Sequence, residues 1–274
     1  IEVLFSNNQR MTFDFYGENI FRVFQDNAGG IIRDPEAKPE AQILVDNPRK
    51  PVNKLQIDTT SDKLEVMTDL IKLEFDKETS LLRVSRLSDG TTVLQQSEPV
   101  VFNKKNTTIQ LKEQPDEYFY GGGVQNGRFS HKGKKISIEN QNSWTDGGVA
   151  SPTPFYWSTQ GYGMMWYTFK KGTYDFGAKQ AGYVEPQHDT DYLDLFFMIN
   201  EEPVSLLNDF YQLTGNPVLI PKFGFYQGHL NAYNRDYWKE SEDGKGILFE
   251  DGKYYTEHQK DNGGIKESLN GELN

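Results

Sequence analysis

In several stretches of the first hundred residues apolar side chains recur at every second position. Met11, Phe13 and Phe15 alternate with Thr12, Asp14 and Tyr16, and Ile71, Leu73 and Phe75 alternate with Lys72 and Glu74. A period of two predicts half-buried antiparallel strands. Turn residues fall where hairpins need them, at Asn27-Ala28-Gly29-Gly30, Asp76-Lys77-Glu78-Thr79 and Asp89-Gly90. The charged, proline-rich stretch 33–51 has weak periodicity and is expected to be a long surface loop. From Thr107 to Ile199 the strands continue, with connections richer in Gly, Asn and aromatic residues. Residues 161–167 and 193–199 read as buried strands, and a β-sandwich of many strands accounts for the whole region.

The pattern changes at Pro203. Leu206, Leu207, Phe210 and Tyr211 recur at helical spacing, with Pro203 suited to a first turn and Gly215 to the end, so one short amphipathic helix is expected. Pro217 and Pro221 stop it. Phe223-Gly224-Phe225-Tyr226 then reads as a buried strand with a polar tail of Gln227, His229, Asn231, Asn234, Arg235 and Asp236. The expected division is a β-sandwich over 1–202, a helical linker over 203–221 and a second domain beginning at 222. Beyond Trp238 the sequence is polar and Gly-rich, with Phe249 and Tyr254 as isolated anchors and no closing element, which suggests a piece of a longer chain.

Composition narrows the chemistry. The 274 residues include 14% aromatics, ample for a core without covalent staples. There is no cysteine, which excludes disulfides, zinc-thiolate sites and thiol catalysis, and leaves the compartment open, with secretion or the cell surface favoured over the cytoplasm. A formal net charge of −11 without a basic cluster argues against nucleic acid or an anionic membrane as partner. No run approaches the roughly 18 apolar residues of a membrane span, and no charged-then-apolar leader opens the sequence.

Several clusters invite a functional reading. Gly121, Gly122 and Gly123 follow Tyr118-Phe119-Tyr120; with no helix behind them and no Lys-Ser or Lys-Thr pair they read as a bulge or sheet corner needing positive φ, and not as a phosphate cradle. The four histidines show no HxH or HExxH spacing, and Asp189, Asp191 and Asp194 lack further ligands, so a solvated strand edge is favoured over a metal site. No nucleophile elbow or paired carboxylates stand out. The loop Glu139-Asn140-Gln141-Asn142-Ser143-Trp144-Thr145-Asp146-Gly147-Gly148 combines amides, a carboxylate and an indole, which suits sugar hydroxyls and C–H faces; a self-satisfied Asx-rich turn is the other reading. The tail carrying His229, Asn231, Asn234 and Asp236 would emerge at the C-terminal end of a strand, where barrel enzymes place ligand contacts.

Six of these motifs, in order, resemble the N-terminal half of glycoside hydrolase family 31, the α-glucosidase family. They are Tyr120-Gly121-Gly122-Gly123, Trp144-Thr145-Asp146-Gly147-Gly148, Pro154-Phe155-Tyr156, Gly161-Tyr162-Gly163, Leu213-Thr214-Gly215-Asn216-Pro217 and Pro221-Lys222-Phe223-Gly224-Phe225. The resemblance implies a galactose-mutarotase-like sandwich before a (β/α)8 barrel whose first strand starts near Phe223. It assigns Trp144 and Asp146 to a sandwich loop that reaches the sugar subsite, and His229, Asn231 and Asp236 to the end of the first barrel strand. It implies a carbohydrate substrate, no cofactor or metal, and a catalytic Asp pair on later barrel strands, so that this stretch alone would be inactive. Where many members carry a GxGE-like pattern this chain reads Gly122-Gly123-Val124-Gln125-Asn126, and the strand tail also differs; both departures point toward a divergent branch such as cyclic α-glucan-forming transglycosylases or α-N-acetylgalactosaminidases. A stand-alone carbohydrate-binding sandwich is the alternative, and a structural domain bracing a partner chain a third reading.

Overall fold

A computed structural model describes residues 1–26, 43–127, 129–141, 148–221 and 238–257. The chain forms two compact units, Ile1–Pro217 and Val218–Asn274.

Strands are numbered in chain order. The first unit holds two antiparallel sheets. Sheet 1 runs, in spatial order, β1 (Glu2–Leu4), β2 (Arg10–Phe15), β3 (Ile20–Asp26), β16 (Tyr192–Ile199), β13 (Tyr162–Trp166), β12 (Val149–Ser158) and β10 (Phe119–Gln125). Sheet 2 runs β11 (Lys134–Ile138), β14 (Gly172–Phe176), β15 (Tyr183–His188), β9 (Thr107–Lys112), β8 (Thr92–Phe102), β7 (Leu81–Arg86), β6 (Ile71–Asp76), β5 (Lys63–Met67) and β4 (Gln56–Thr59).

The two sheets enclose one core, to which sheet 2 contributes Val66, Leu73, Val84, Leu111, Tyr174 and Phe176, and sheet 1 contributes Phe21, Tyr156, Trp166, Leu195 and Phe197. Sheet 1 also buries its other face. There Tyr16, Ile20, Phe155, Met165, Phe196 and Met198 pack against Leu206 and Leu213 of helix α1 (Pro203–Thr214) and against Leu44. This explains two kinds of strand sequence. β6 has one wet face and alternates as expected, whereas in β16 Leu193, Leu195, Phe197 and Ile199 enter the inter-sheet core while Phe196 and Met198 enter the second, giving an apolar run from Leu195 to Ile199 after the buried Asp194. β2 departs from the half-buried expectation for the same reason: Thr12 lies between Met11 and Phe13 and is buried with them.

The helix begins with Pro203 in its first turn and ends at Gly215, whose φ of 90° lets its N–H reach the Tyr211 carbonyl at 2.8 Å. Its most buried residues are Leu206, Asp209 and Leu213; Tyr211 is only half-buried. Each fully buried leucine stabilises the packing by roughly 1.5–3 kcal/mol. Asp209 adds a polar anchor, accepting from Asn19 Nδ2 at 2.7 Å and Asn200 Nδ2 at 3.1 Å. Residues 43–50 are more integrated than a surface loop: Leu44 and Pro48 are buried, Val45 N–H donates to the Leu213 carbonyl, and Gln212 Nε2 donates to the carbonyls of Tyr16 and Pro48.

In the second unit β17 (Trp238–Glu240), β18 (Ile247–Leu248) and β19 (Tyr254–Glu257) form a small antiparallel sheet in the order β17-β19-β18. Phe249 is not isolated there, since its ring packs edge-on against Tyr255 at 4.8 Å. The expected first barrel strand at Phe223 lies outside the described residues. No described helix is long and apolar enough to cross a membrane.

Candidate functional site

The Gly121-Gly122-Gly123 run shapes one end of the sandwich. All three glycines have positive φ, 114°, 74° and 81°, and the register between β10 and β12 slips there: Gly121 faces Tyr156, but Gly123 faces Pro152. The expected bulge is therefore present. A Cβ on Gly123 would overlap the Ser151 carbonyl oxygen, so the strands can approach this closely only with glycine. Pro152 and Pro154, which suit an interrupted ladder, sit at the slip.

The connection from β11 to β12 crosses from sheet 2 to sheet 1, and the sugar-contact candidates Trp144 and Asp146 lie in it. They fall outside the described residues, as do His229, Asn231 and Asp236. The described chain on either side is held. Gly148 accepts from Asn126 N–H at 2.9 Å, and Ile138 and Val149 are buried. Gln125 joins the sheets here, its Nε2 donating to the Gly122 carbonyl at 2.8 Å and the Ser137 carbonyl at 3.1 Å. From the sequence Gln125 stands out only as a departure from the family pattern, and its bridging geometry has no local signature.

Beside this connection lies a half-open cleft of about 310 Å³. Phe210 of α1, Met165 of β13 and Pro154 of β12 form its apolar wall, and Asn140, Thr153 and Thr168 supply polar groups. The Phe210 ring is fixed by stacking on Phe155 at 4.2 Å. Phe169 stands 56% exposed at the rim, where the Glu139 carboxylate and Lys171 ammonium lie 3.8 Å apart.

The buried carboxyls among the described residues hold the sandwich together. Asp194 is not on a solvated edge: it accepts two 2.7 Å hydrogen bonds from Arg22, and both side chains are nearly fully buried. Burial pulls the guanidinium pKa down, but the bonds to Asp194 outweigh it and hold it above its ordinary value. Asp189 and Asp191 lie apart from it, in the turn between β15 and β16. Glu117 accepts from Ser158 Oγ and, at 2.8 Å, from Gln114 N–H, and burial pushes its carboxyl up. Burial likewise raises Asp209, against the amides of Asn200 and Asn19. Asp175 accepts from the N–H groups of Ala178 and Lys179.

The two described histidines are core residues. His131 lies over Phe176 with Nε2 2.9 Å from the Gly121 carbonyl. His188 sits between Tyr174 Oη, at 3.0 Å, and the Lys170 carbonyl, at 2.8 Å, and desolvation pushes its pKa down to about 4. Among the described residues no group of three His, Asp or Glu side chains is placed to hold a metal ion.

Residues 10–175, more than half of the chain, match the family model described as the glycosyl hydrolase 31 N-terminal galactose mutarotase-like domain. The chain belongs to this family. Among curated relatives of the family 31 domain, an α-xylosidase of Emericella nidulans is 24% identical over 161 residues, 58% of this chain and 21% of that protein. The α-xylosidase XylQ of Lactiplantibacillus pentosus is 25% identical over 208 residues, 74% of this chain and 26% of that protein. The chain thus spans about a fifth to a quarter of these relatives. Among solved structures, a Flavobacterium johnsoniae family 31 dextranase complexed with isomaltotriose superposes with a TM-score of 0.71 at 15% identity, over 80% of this chain and 27% of that one. A soil-metagenome α-xylosidase complexed with xylose gives 0.67 at 18% identity, over 81% and 34%. At such identities the superpositions establish a shared fold for the family 31 sandwich and leave specificity to the chemistry of the site.

Proposed function

We propose that this chain is the N-terminal portion of a retaining α-glycosidase or α-transglycosidase acting on α-linked glucans or oligosaccharides. The observation that carries the reading is the family 31 sandwich match over residues 10–175 in a chain covering only about a quarter of its relatives. The names of those relatives, α-xylosidases and a dextranase, support an α-linked substrate. In this reading 1–202 is the sandwich, 203–221 leads out of it, and the barrel begins at 222. Trp144 and Asp146 contact the sugar from the sandwich loop, and His229, Asn231 and Asp236 contact it from the end of the first barrel strand. An Asp nucleophile and an Asp acid on later strands carry out the chemistry through a covalent glycosyl intermediate, which water or a second sugar resolves. The four buried carboxyls among the described residues of the sandwich and its helix, Glu117, Asp175, Asp194 and Asp209, are hydrogen-bonded within the fold, which supports a shaping and binding role for this part of the chain.

The test uses both the 274-residue chain and the complete gene product. The chain alone should leave aryl α-glucosides and α-xylosides intact; turnover by it would refute the assignment of chemistry to later strands. In the complete protein, Trp144→Ala and Asp146→Ala should each raise KM about tenfold or more. Unchanged kinetics in both would remove the loop from the sugar subsite.

A further inference from the structure

We infer that the cleft between Phe169 and Phe210 binds one pyranose ring of an α-linked oligosaccharide. The inference rests on the α-glycosidase reading for its ligand class, and on the cleft itself for the place. About 310 Å³ lies at the small end of the roughly 300–1,000 Å³ range of ligand sites, enough for one ring and its immediate neighbour but not for a long chain.

The lining has the two faces a sugar ring needs. Phe210 cannot turn away, because its other face is stacked on Phe155 at 4.2 Å. Phe169 projects from the β13–β14 connection and is 56% exposed, although the strand before it is fully buried; its ring takes no part in either core cluster. These rings and Pro154 offer apolar surface to ring C–H groups. The hydrogen-bonding side is equally specific. Thr168 Oγ1 accepts from Lys170 N–H at 3.1 Å, which directs its lone pairs and leaves its own O–H to donate. The exposed amide of Asn140 offers both donor and acceptor, and Thr153 adds a hydroxyl to the lining. The Glu139 carboxylate and Lys171 ammonium, which also line the cleft, lie 3.8 Å apart and offset one another. Groups of this kind read hydroxyls, not net charge.

The experiment titrates the complete 274-residue chain with isomaltotriose, following binding by calorimetry and by saturation-transfer NMR. Phe169→Ala and Asn140→Ala alter exposed side chains, so the melting temperature should stay within about 2 °C of wild type, while Kd rises about tenfold in each. Trp144→Ala is run in parallel to separate this inference from the loop reading. Loss of binding in Phe169→Ala and Asn140→Ala but not in Trp144→Ala supports the cleft and removes the loop. Loss only in Trp144→Ala overturns the cleft and keeps the loop. Absence of detectable isomaltotriose binding to the wild-type chain overturns the cleft, and would leave it as a seat for an apolar segment of another domain.

Discussion

Replacing Asp194 by leucine should destabilise the sandwich more than any loss of contact area explains, and replacing Arg22 at the same time should restore most of the loss. The guanidinium lies on β3 and the carboxylate on β16, adjacent strands at the centre of sheet 1, and the pair is bidentate with both bonds at 2.7 Å. Arg22 lies 5.4 Å from the rings of both Tyr167 and Phe196, a setting too dry to solvate a lone cation. Breaking a buried pair typically costs about 3–5 kcal/mol, because one charge is left unpaired, whereas replacing both partners by apolar residues of similar volume is often neutral or stabilising. Both side chains are nearly fully buried even in the intact pair, so the wild-type arrangement already carries a desolvation cost. At roughly 2–4 °C per kcal/mol, Asp194→Leu should lower Tm by about 6–20 °C, and the double variant Arg22→Met/Asp194→Leu should recover more than half of that. Urea unfolding followed by far-ultraviolet circular dichroism gives both numbers and their coupling. A single variant within about 1 kcal/mol of wild type, or a double variant no better than the single, would refute the account of the pair as a buried, mutually dependent unit.

Two further predictions concern packing and pH. Gly123→Ala combines a positive φ with a clash against backbone and should cost at least about 3 kcal/mol, whereas Gly90→Ala, at a φ of 71° with open space around it, should cost about 1–2 kcal/mol; equal costs would show that the close approach of β10 and β12 is not what demands glycine. His188 titrates near 4 in the fold and near 6.5 when unfolded, so its contribution is complete above pH 6.5 and is lost as pH falls toward 4, by about 3 kcal/mol at 1.36 kcal/mol per unit. Glu117 and Asp209, raised by burial, act in the opposite sense, so the diagnostic is the difference between wild type and His188→Gln in urea midpoints from pH 7 to pH 4. Parallel profiles would remove His188 from the acid sensitivity.

Residue pattern alone determined the mainly β class, the bulge at Gly121 to Gly123, the buried strands at 161–167 and 193–199, and a helix opening at Pro203 and closing at Gly215. These features are local: a strand's period, a glycine's positive φ and a proline's missing N–H act within a few residues. Family resemblance, carried by six motifs in order, placed the chain in the glycosyl hydrolase 31 sandwich family. The tertiary structure decided what depends on contacts between distant residues. Asp194 reads as one of three carboxylates on a strand edge until β3 brings Arg22, 172 positions away in sequence, against it. Residues 43–50 read as a polar loop until Gln212 and Leu213 supply the partners for their backbone groups. Sheet 1 reads as buried without showing by what; the helix and Leu44 supply its second core, and the gap beside them, between Phe169 and Phe210, is a cleft that no run of neighbouring residues could have announced. Propensity is written along the chain, whereas pairing of buried charge and the shape of a cleft arise only where separate segments meet.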